Sequence, residues 1–242
     1  MCYGDALGLN FSQQYYPQKR SIIPKRSYST YLLSLINLFD QKLFNYTKIE
    51  SEILLSVIEE SSKIFDFELS TYFNNINNFL SQSKKIIFLL SANYSETGRI
   101  KLVDEIKCYE ISLCKYASKN DSLIIVKPHP RDSAKKHIIL EDSLKQIASN
   151  VIFLSDNFKH IPFEIIYYLL LKKYNLDTLN HRILSSSSSI LFIEYLFKKE
   201  CDFMFGIDIV MKYFTEDWIQ LRIQHEKDII NAIGLIRSNK II

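Results

Sequence analysis

The sequence predicts an α/β protein: a Rossmann-like parallel sheet preceded by a mostly helical segment. Three observations lead there. Five short apolar runs recur after residue 85, at Ile86–Leu90, Leu123–Val126, Val151–Leu154, Arg182–Leu184 and Asp202–Phe205. Each is too brief for a helix and apolar enough for a strand covered on both faces. Helix-like segments separate them, the alternation expected of a parallel, doubly wound sheet. The chain also carries only 5 Gly and 5 Pro in 242 residues, which leaves little room for long loops.

Along the chain, residues 1–28 read as irregular, with Gly4-Asp5-Ala6-Leu7-Gly8 as a turn. Ser29-Thr30 suits the cap of a helix over Tyr31–Phe39. A second helix is expected over Ile49–Phe65, where Ile53, Leu54, Val57 and Ile58 recur at helical spacing, and a third over Leu69–Leu80. After the first strand, helices are expected over Leu102–Ala117, Lys136–Ile147, Pro162–Leu171 and Ser188–Lys198. Pro162 stands at the favoured first-turn position. Glu216–Ile236 reads as a long final helix, with Trp218, Leu221, Ile229, Ile233 and Ile236 as its apolar side. The change of pattern divides the chain into a helical portion (1–84), a Rossmann-like domain (85–214) and a C-terminal helix (215–242).

Composition excludes several classes. At 47% hydrophobic residues the chain can build a sizeable core. A net charge of +3 with scattered Lys and Arg does not form the concentrated basic face of a nucleic-acid binder. The four cysteines include no CxxC pair, so neither a zinc site nor a disulfide framework is signalled, and reduced thiols in a cytoplasmic protein are expected. The N-terminus has no secretory pattern, and no window reaches the apolar length of a membrane span. Walker A and GxGxxG sequences are absent.

Two motifs carry chemistry. Lys127-Pro128-His129-Pro130-Arg131-Asp132 follows a strand. Its prolines keep the backbone out of a helix and hold His129 in a stiff loop. An imidazole there can donate to a leaving oxygen, and Lys127 and Arg131 add positive charge for a phosphate. Ser185 to Ser189 follow another strand and open a helix. Unpaired amides, the helix dipole and the hydroxyls of Ser185, Ser186, Ser187 and Ser188 together suit a phosphate without a metal. Glu164, in the first turn of a helix, suits either a pair of ribose hydroxyls or a charge–dipole contact. Asn93 or Ser95, after the first strand of the sheet, can meet a base or a phosphate. A carboxylate at Asp5 can take a proton from an attacking hydroxyl, although its position alone favours an ordinary turn near the terminus.

The order Asp5, then Lys-Pro-His-Pro around His129, then the serine motif at 185–189, resembles bacterial sialyltransferases and polysialyltransferases of the GT-B architecture. These modify capsules and lipooligosaccharides. The resemblance implies an inverting, metal-independent glycosyltransferase without a cofactor, whose donor is CMP-sialic acid and whose acceptor is a surface glycan. It implies Asp5 as general base and His129 as the residue that contacts the donor phosphate and assists its departure. Lys127, Pro130, Arg131, the serines and Asn93 would line the donor site, with Glu164 at the ribose. It further implies a cytoplasmic location, with room for a peripheral contact with the membrane or a capsule-synthesis complex. Ala6 departs from the acidic motif, which has a glycine there. Because Asp5 stands so near Met1, the acceptor-side domain is expected to be truncated. Two alternatives remain: a CDP-polyol phosphotransferase of cell-wall polymers, and a non-catalytic nucleotide-binding remnant.

Overall fold

A computed structural model describes residues 27–30, 46–49, 51–82 and 84–238. Its centre is a five-stranded, wholly parallel sheet of β3 (Lys85–Leu90), β4 (Ser122–Lys127), β5 (Asn150–Phe153), β6 (His181–Ser185) and β7 (Asp202–Phe203). The strands lie in the order β5-β4-β3-β6-β7. Ile87 is opposite Ile124 on one side and Arg182 on the other, and Ile124 is opposite Val151. Each of the five expected strands is present, displaced by a residue or two at its ends.

Alternation along the strands builds two cores. Ile86, Phe88, Leu90, Leu123 and Ile125 point to one face, where α1 (Ser51–Gln82), α4 (Phe163–Tyr174) and α5 (Ser189–Phe197) pack. Ile87, Leu89, Ile124 and Val126 point to the other, under α2 (Leu102–Leu113), α3 (Ala134–Ile147) and α6 (Ile207–Tyr213). The period of two is the geometry of a strand, and burial on both faces explains why the strands read as unbroken apolar runs. The last helix, α7 (Glu216–Arg237), serves both cores: Trp218, Ile219 and Ile223 reach the second, and Ile229, Ala232, Ile233 and Ile236 the first. No helix among the described residues is long and apolar enough to cross a membrane.

Three local expectations differ. Ser29-Thr30, expected as a helix cap, lie in a strand: Ser27–Thr30 form β1, paired in parallel with β2 (Tyr46–Ile49). Instead of separate helices over Ile49–Phe65 and Leu69–Leu80, α1 is one 32-residue helix. Neither Gly nor Pro interrupts Ser51–Gln82, so the polar Asp66 and Glu68 only turn its face. The helix expected to Ala117 stops at Leu113, because the amides of Tyr116 and Ala117 both return to the Leu113 carbonyl, each at 2.8 Å. The expected helix over Tyr31–Phe39 and the irregular stretch 1–28, apart from Ser27 and Tyr28, lie outside the described residues.

A buried ion cluster ties the second core to the loop after β4. Lys136 on α3 is fully buried, and its Nζ lies 2.7 Å from Glu105 Oε1 on α2 and 3.0 Å from Asp132 Oδ1. It also donates to the Ala92 carbonyl after β3. Tyr109 Oη donates to Glu105 Oε1 at 3.0 Å, and the Ser95 amide to Glu105 Oε2 at 2.8 Å. Burial alone would lower the Lys136 pKa, but Glu105 and Asp132 hold the ammonium above its ordinary value. Such a cluster stabilises only while complete, because losing the cation leaves two buried carboxylates uncompensated. Lys136→Met is expected to lower unfolding free energy by about 3–5 kcal/mol. Urea denaturation would show this as a lower midpoint at unchanged slope.

Candidate functional site

In an open parallel sheet, ligands bind beyond the carboxyl ends of the strands, where the strand order reverses. Here the chain runs from β3 outward to β4 and β5, then returns to the other side of β3 as β6 and β7. The reversal lies between β3 and β6. A cleft of about 250 Å³ opens beside it, lined by Leu90 and Ser91 after β3, residues 127–130 after β4, residues 159–164 leading into α4, and Ser187 and Ser189.

The first wall is the His129 loop. The His129 amide donates to Ser91 Oγ at 2.7 Å and to Asp132 Oδ2 at 2.9 Å, and Ser91 Oγ also donates to Asp132 Oδ2. The Asp132 amide returns to the His129 carbonyl at 2.9 Å. Asp132 therefore joins the His129 loop to the Lys136 cluster beneath it. His129 Nδ1 accepts from the Arg131 amide at 3.1 Å. An accepting Nδ1 carries no proton, so the neutral ring holds its proton on Nε2. Burial lowers the His129 pKa, opposed in part by Asp132, so the neutral form prevails near pH 7.

Lys127 connects that wall to the next. Its ammonium donates to the Lys159 carbonyl at 2.6 Å and to the Pro128 carbonyl at 3.2 Å. Burial lowers its pKa to about 8, against the opposing pull of Glu164 and Asp132. The second wall runs through a 3-10 turn at Asp156–Phe158 to Pro162, the N-cap of α4. Glu164 lies in the first turn of α4 and borders the cleft.

The third wall is the serine turn. Ser185 ends β6, and α5 begins at Ser189. Three hydroxyls close a triangle: Ser185 Oγ to Ser187 Oγ at 3.0 Å, Ser185 Oγ to Ser189 Oγ at 3.2 Å, and Ser187 Oγ to Ser189 Oγ at 2.8 Å. The Ser187 amide donates to Ser185 Oγ at 3.2 Å. The N-cap residue, Ser188, makes no side-chain capping bond. Hydroxyls that satisfy one another can rotate toward a phosphate without first breaking into a core. The amides opening α5 add the positive end of a helix.

Among the sequence-predicted residues, the structure brings Lys127, His129, Pro130, Glu164 and Ser187 to one cleft. Ser185 lies beneath it, contributing its hydroxyl to the triangle. The Ser186 side chain is fully buried, and its Oγ has no hydrogen-bond partner. Ser188 is the half-buried N-cap. Arg131 is exposed and does not line the cleft. Asn93 lies in the loop after β3, its carbonyl engaged by the Thr97 amide and hydroxyl, and it too is outside the lining. Asp5 lies outside the described residues. Ser189, the last of the tract, is half-buried and lines the cleft. Ser91, Lys159 and His160 were not singled out as site residues; their signal is only that each follows a strand at the carboxyl edge. Among the described residues no three His, Cys, Asp or Glu side chains converge to hold a metal ion.

A family model described as alpha-2,8-polysialyltransferase matches residues 9–200. The match takes in all three walls and begins after Asp5. No curated protein matches the chain, and no solved structure does. The matched span is most of the 242 residues and contains both motifs in the arrangement just described, so the chain belongs to the alpha-2,8-polysialyltransferase family, whose members are glycosyltransferases of the sialyltransferase type.

Proposed function

We propose that the chain transfers sialic acid from CMP-sialic acid to a surface glycan, with inversion and without a metal. The observation that carries this reading is the meeting of His129, Glu164 and the serine triangle in one cleft at the strand-order reversal. The lining suits a nucleoside monophosphate: the serine turn and α5 amides take the phosphate, and Glu164 takes the ribose hydroxyls. An acceptor hydroxyl attacks the anomeric carbon from the face opposite the phosphate. The bond from that carbon to the phosphate oxygen breaks, and CMP departs with the electron pair. An acidic residue receives the hydroxyl proton, and Asp5 is the proposed base.

His129 acts in this scheme as a neutral hydrogen-bond donor. With Nδ1 accepting from Arg131, its Nε2–H can bond the departing phosphate oxygen while the ring stays intact. Full proton donation would need an imidazolium, whose Nδ1–H would displace the Arg131 amide. The location implied by this reading is the cytoplasm, where nucleotide-sugar donors are made.

His129→Ala is expected to lower transfer at least about 100-fold at saturating donor, with the melting temperature little changed. His129→Asn, which keeps a neutral N–H donor, should retain more activity than His129→Ala. Transfer by His129→Ala at the wild-type rate overturns the mechanism. The pH profile separates donor from acid. A neutral donor predicts kcat/KM that rises as the ring loses its proton below about pH 6.5 and then stays level, whereas an acid predicts decline over that range.

Lys127 supplies a second linkage. Burial lowers its pKa to about 8 in the free protein. A phosphate dianion close by favours the ammonium and raises that value. Between the two values the complex holds a proton that the free protein lacks, so CMP binding should take up protons above about pH 8. Calorimetry in buffers of different ionisation enthalpy measures this, and Lys127→Met should abolish the uptake.

A further inference from the structure

The serine turn is gripped from behind by the last helix. Arg222 on α7 is buried, and its Nη2 donates to the Ser186 carbonyl at 2.6 Å. Its Nη1 donates to Tyr94 Oη, which itself donates to the same Ser186 carbonyl at 2.7 Å. Nε and Nη2 both bond Glu226 Oε1, at 3.0 and 2.9 Å, one helical turn further along α7. The guanidinium lies 4.8 Å from the Tyr94 ring centroid, with Phe203, Phe205 and Phe214 about it. Phe205 adopts φ +78°, a left-handed conformation unfavourable for a bulky residue, which persists only where packing enforces it. Its ring is held by Tyr94, Tyr109 and Phe214 at centroid distances of 5.9, 5.6 and 6.3 Å.

Peptide planarity carries this grip into the cleft. In a trans peptide the carbonyl of one residue and the amide of the next point in opposite directions. No peptide bond in the described structure is cis. With the Ser186 carbonyl drawn inward by Arg222 and Tyr94, the Ser187 N–H must point outward. It does so toward Ser185 Oγ, a corner of the hydroxyl triangle. The rotation of the Ser186–Ser187 peptide, and with it the direction of the phosphate-facing donors, is therefore fixed from the buried side.

We propose that Arg222 is a positioning residue for phosphate recognition: with Tyr94 and Glu226 it locks the Ser186–Ser187 peptide so that the serine cradle is preset for a nucleotide phosphate. Arg222 does not line the cleft, and it lies beyond the residues matched to the family. The proposal rests on the reading of the cleft as a CMP site. Lysine in place of arginine keeps the charge but cannot bond Ser186, Tyr94 and Glu226 together in the same fork.

The test compares CMP with cytidine by titration calorimetry on the full chain. Their affinity ratio isolates the phosphate from the base and ribose. Wild type should bind CMP more tightly. Arg222→Lys should lower the CMP-to-cytidine ratio about 10-fold while leaving the cytidine affinity unchanged. Tyr94→Phe, which removes a single hydroxyl from the same carbonyl, should lower it by a smaller factor, and it decides the matter if Arg222→Lys is recovered unfolded. A part played in stability alone would lower the melting temperature of both variants and leave the ratio at its wild-type value, which overturns the proposal. Failure of the wild-type chain to bind CMP overturns the CMP reading itself and the positioning role with it.

Discussion

Parallel pairing around β3 is the constraint on which the site depends. Because β3, β4 and β6 run the same way in one register, every loop that follows a strand emerges at one edge. The order reversal beside β3 then separates the loop after β4 from the turn after β6 by the width of a single strand. Residues 127–130 and 187–189, some sixty positions apart in the chain, become facing walls. Apolar burial supplies the free energy. Ile87, Leu123, Ile124, Ile125, Ile183 and Leu184 are wholly buried, and an antiparallel arrangement of the same runs would scatter their loops to two edges.

The walls are held by backbone rather than by side-chain reach. Asp132 receives the His129 amide and passes its charge to Lys136. Lys127 donates to two carbonyls, Pro128 of its own wall and Lys159 of the next. Arg222 donates to the Ser186 carbonyl. In each case a charged group satisfies a polar backbone atom that would otherwise be buried or strained at a strand end. The consequence is local rigidity in what would normally be mobile loops, and preset donors at the place where a phosphate is proposed to sit.

Legibility in the sequence followed the same physics. The inner strands, buried on both faces, read as unbroken apolar runs, and the half-buried edge strands β5 and β7 still carry short apolar stretches, so all five of the sheet are visible. Ser27–Thr30 and Tyr46–Ile49 have no such run and, among the described residues, pair with each other, so their strands are not. α6, with Ile207, Val210 and Met211, is too short for a periodic signal. The His129 loop announced itself because its prolines exclude a helix. The serine tract announced a turn but not its orientation: which hydroxyls face the cleft depends on the peptide between Ser186 and Ser187. That peptide is set by Arg222, 36 residues away, and no local pattern can encode it. Ser91 and Lys159 carry no pattern either, being single residues placed by the end of β3 and by the 3-10 turn that follows β5.

Electrostatics gives the arrangement its final logic. Both enclosed cations behind the walls have carboxylates at close range, Lys136 those of Glu105 and Asp132, Arg222 that of Glu226. No excess cation therefore faces the cleft from behind, and apart from the Glu164 carboxylate and Lys127, whose pKa burial lowers to about 8, the lining is dipolar: hydroxyls, helix amides and a neutral imidazole. A leaving phosphate gains charge as its bond to the sugar breaks, and preset dipoles stabilise that change without reorganising. Dipoles also hold the product less tightly than a fixed ion pair would, since each hydrogen bond exchanges readily for one to water. In the proposed transfer, a cleft of this kind stabilises departure of CMP and still permits its release, which a cradle of unpaired lysines and arginines would hinder.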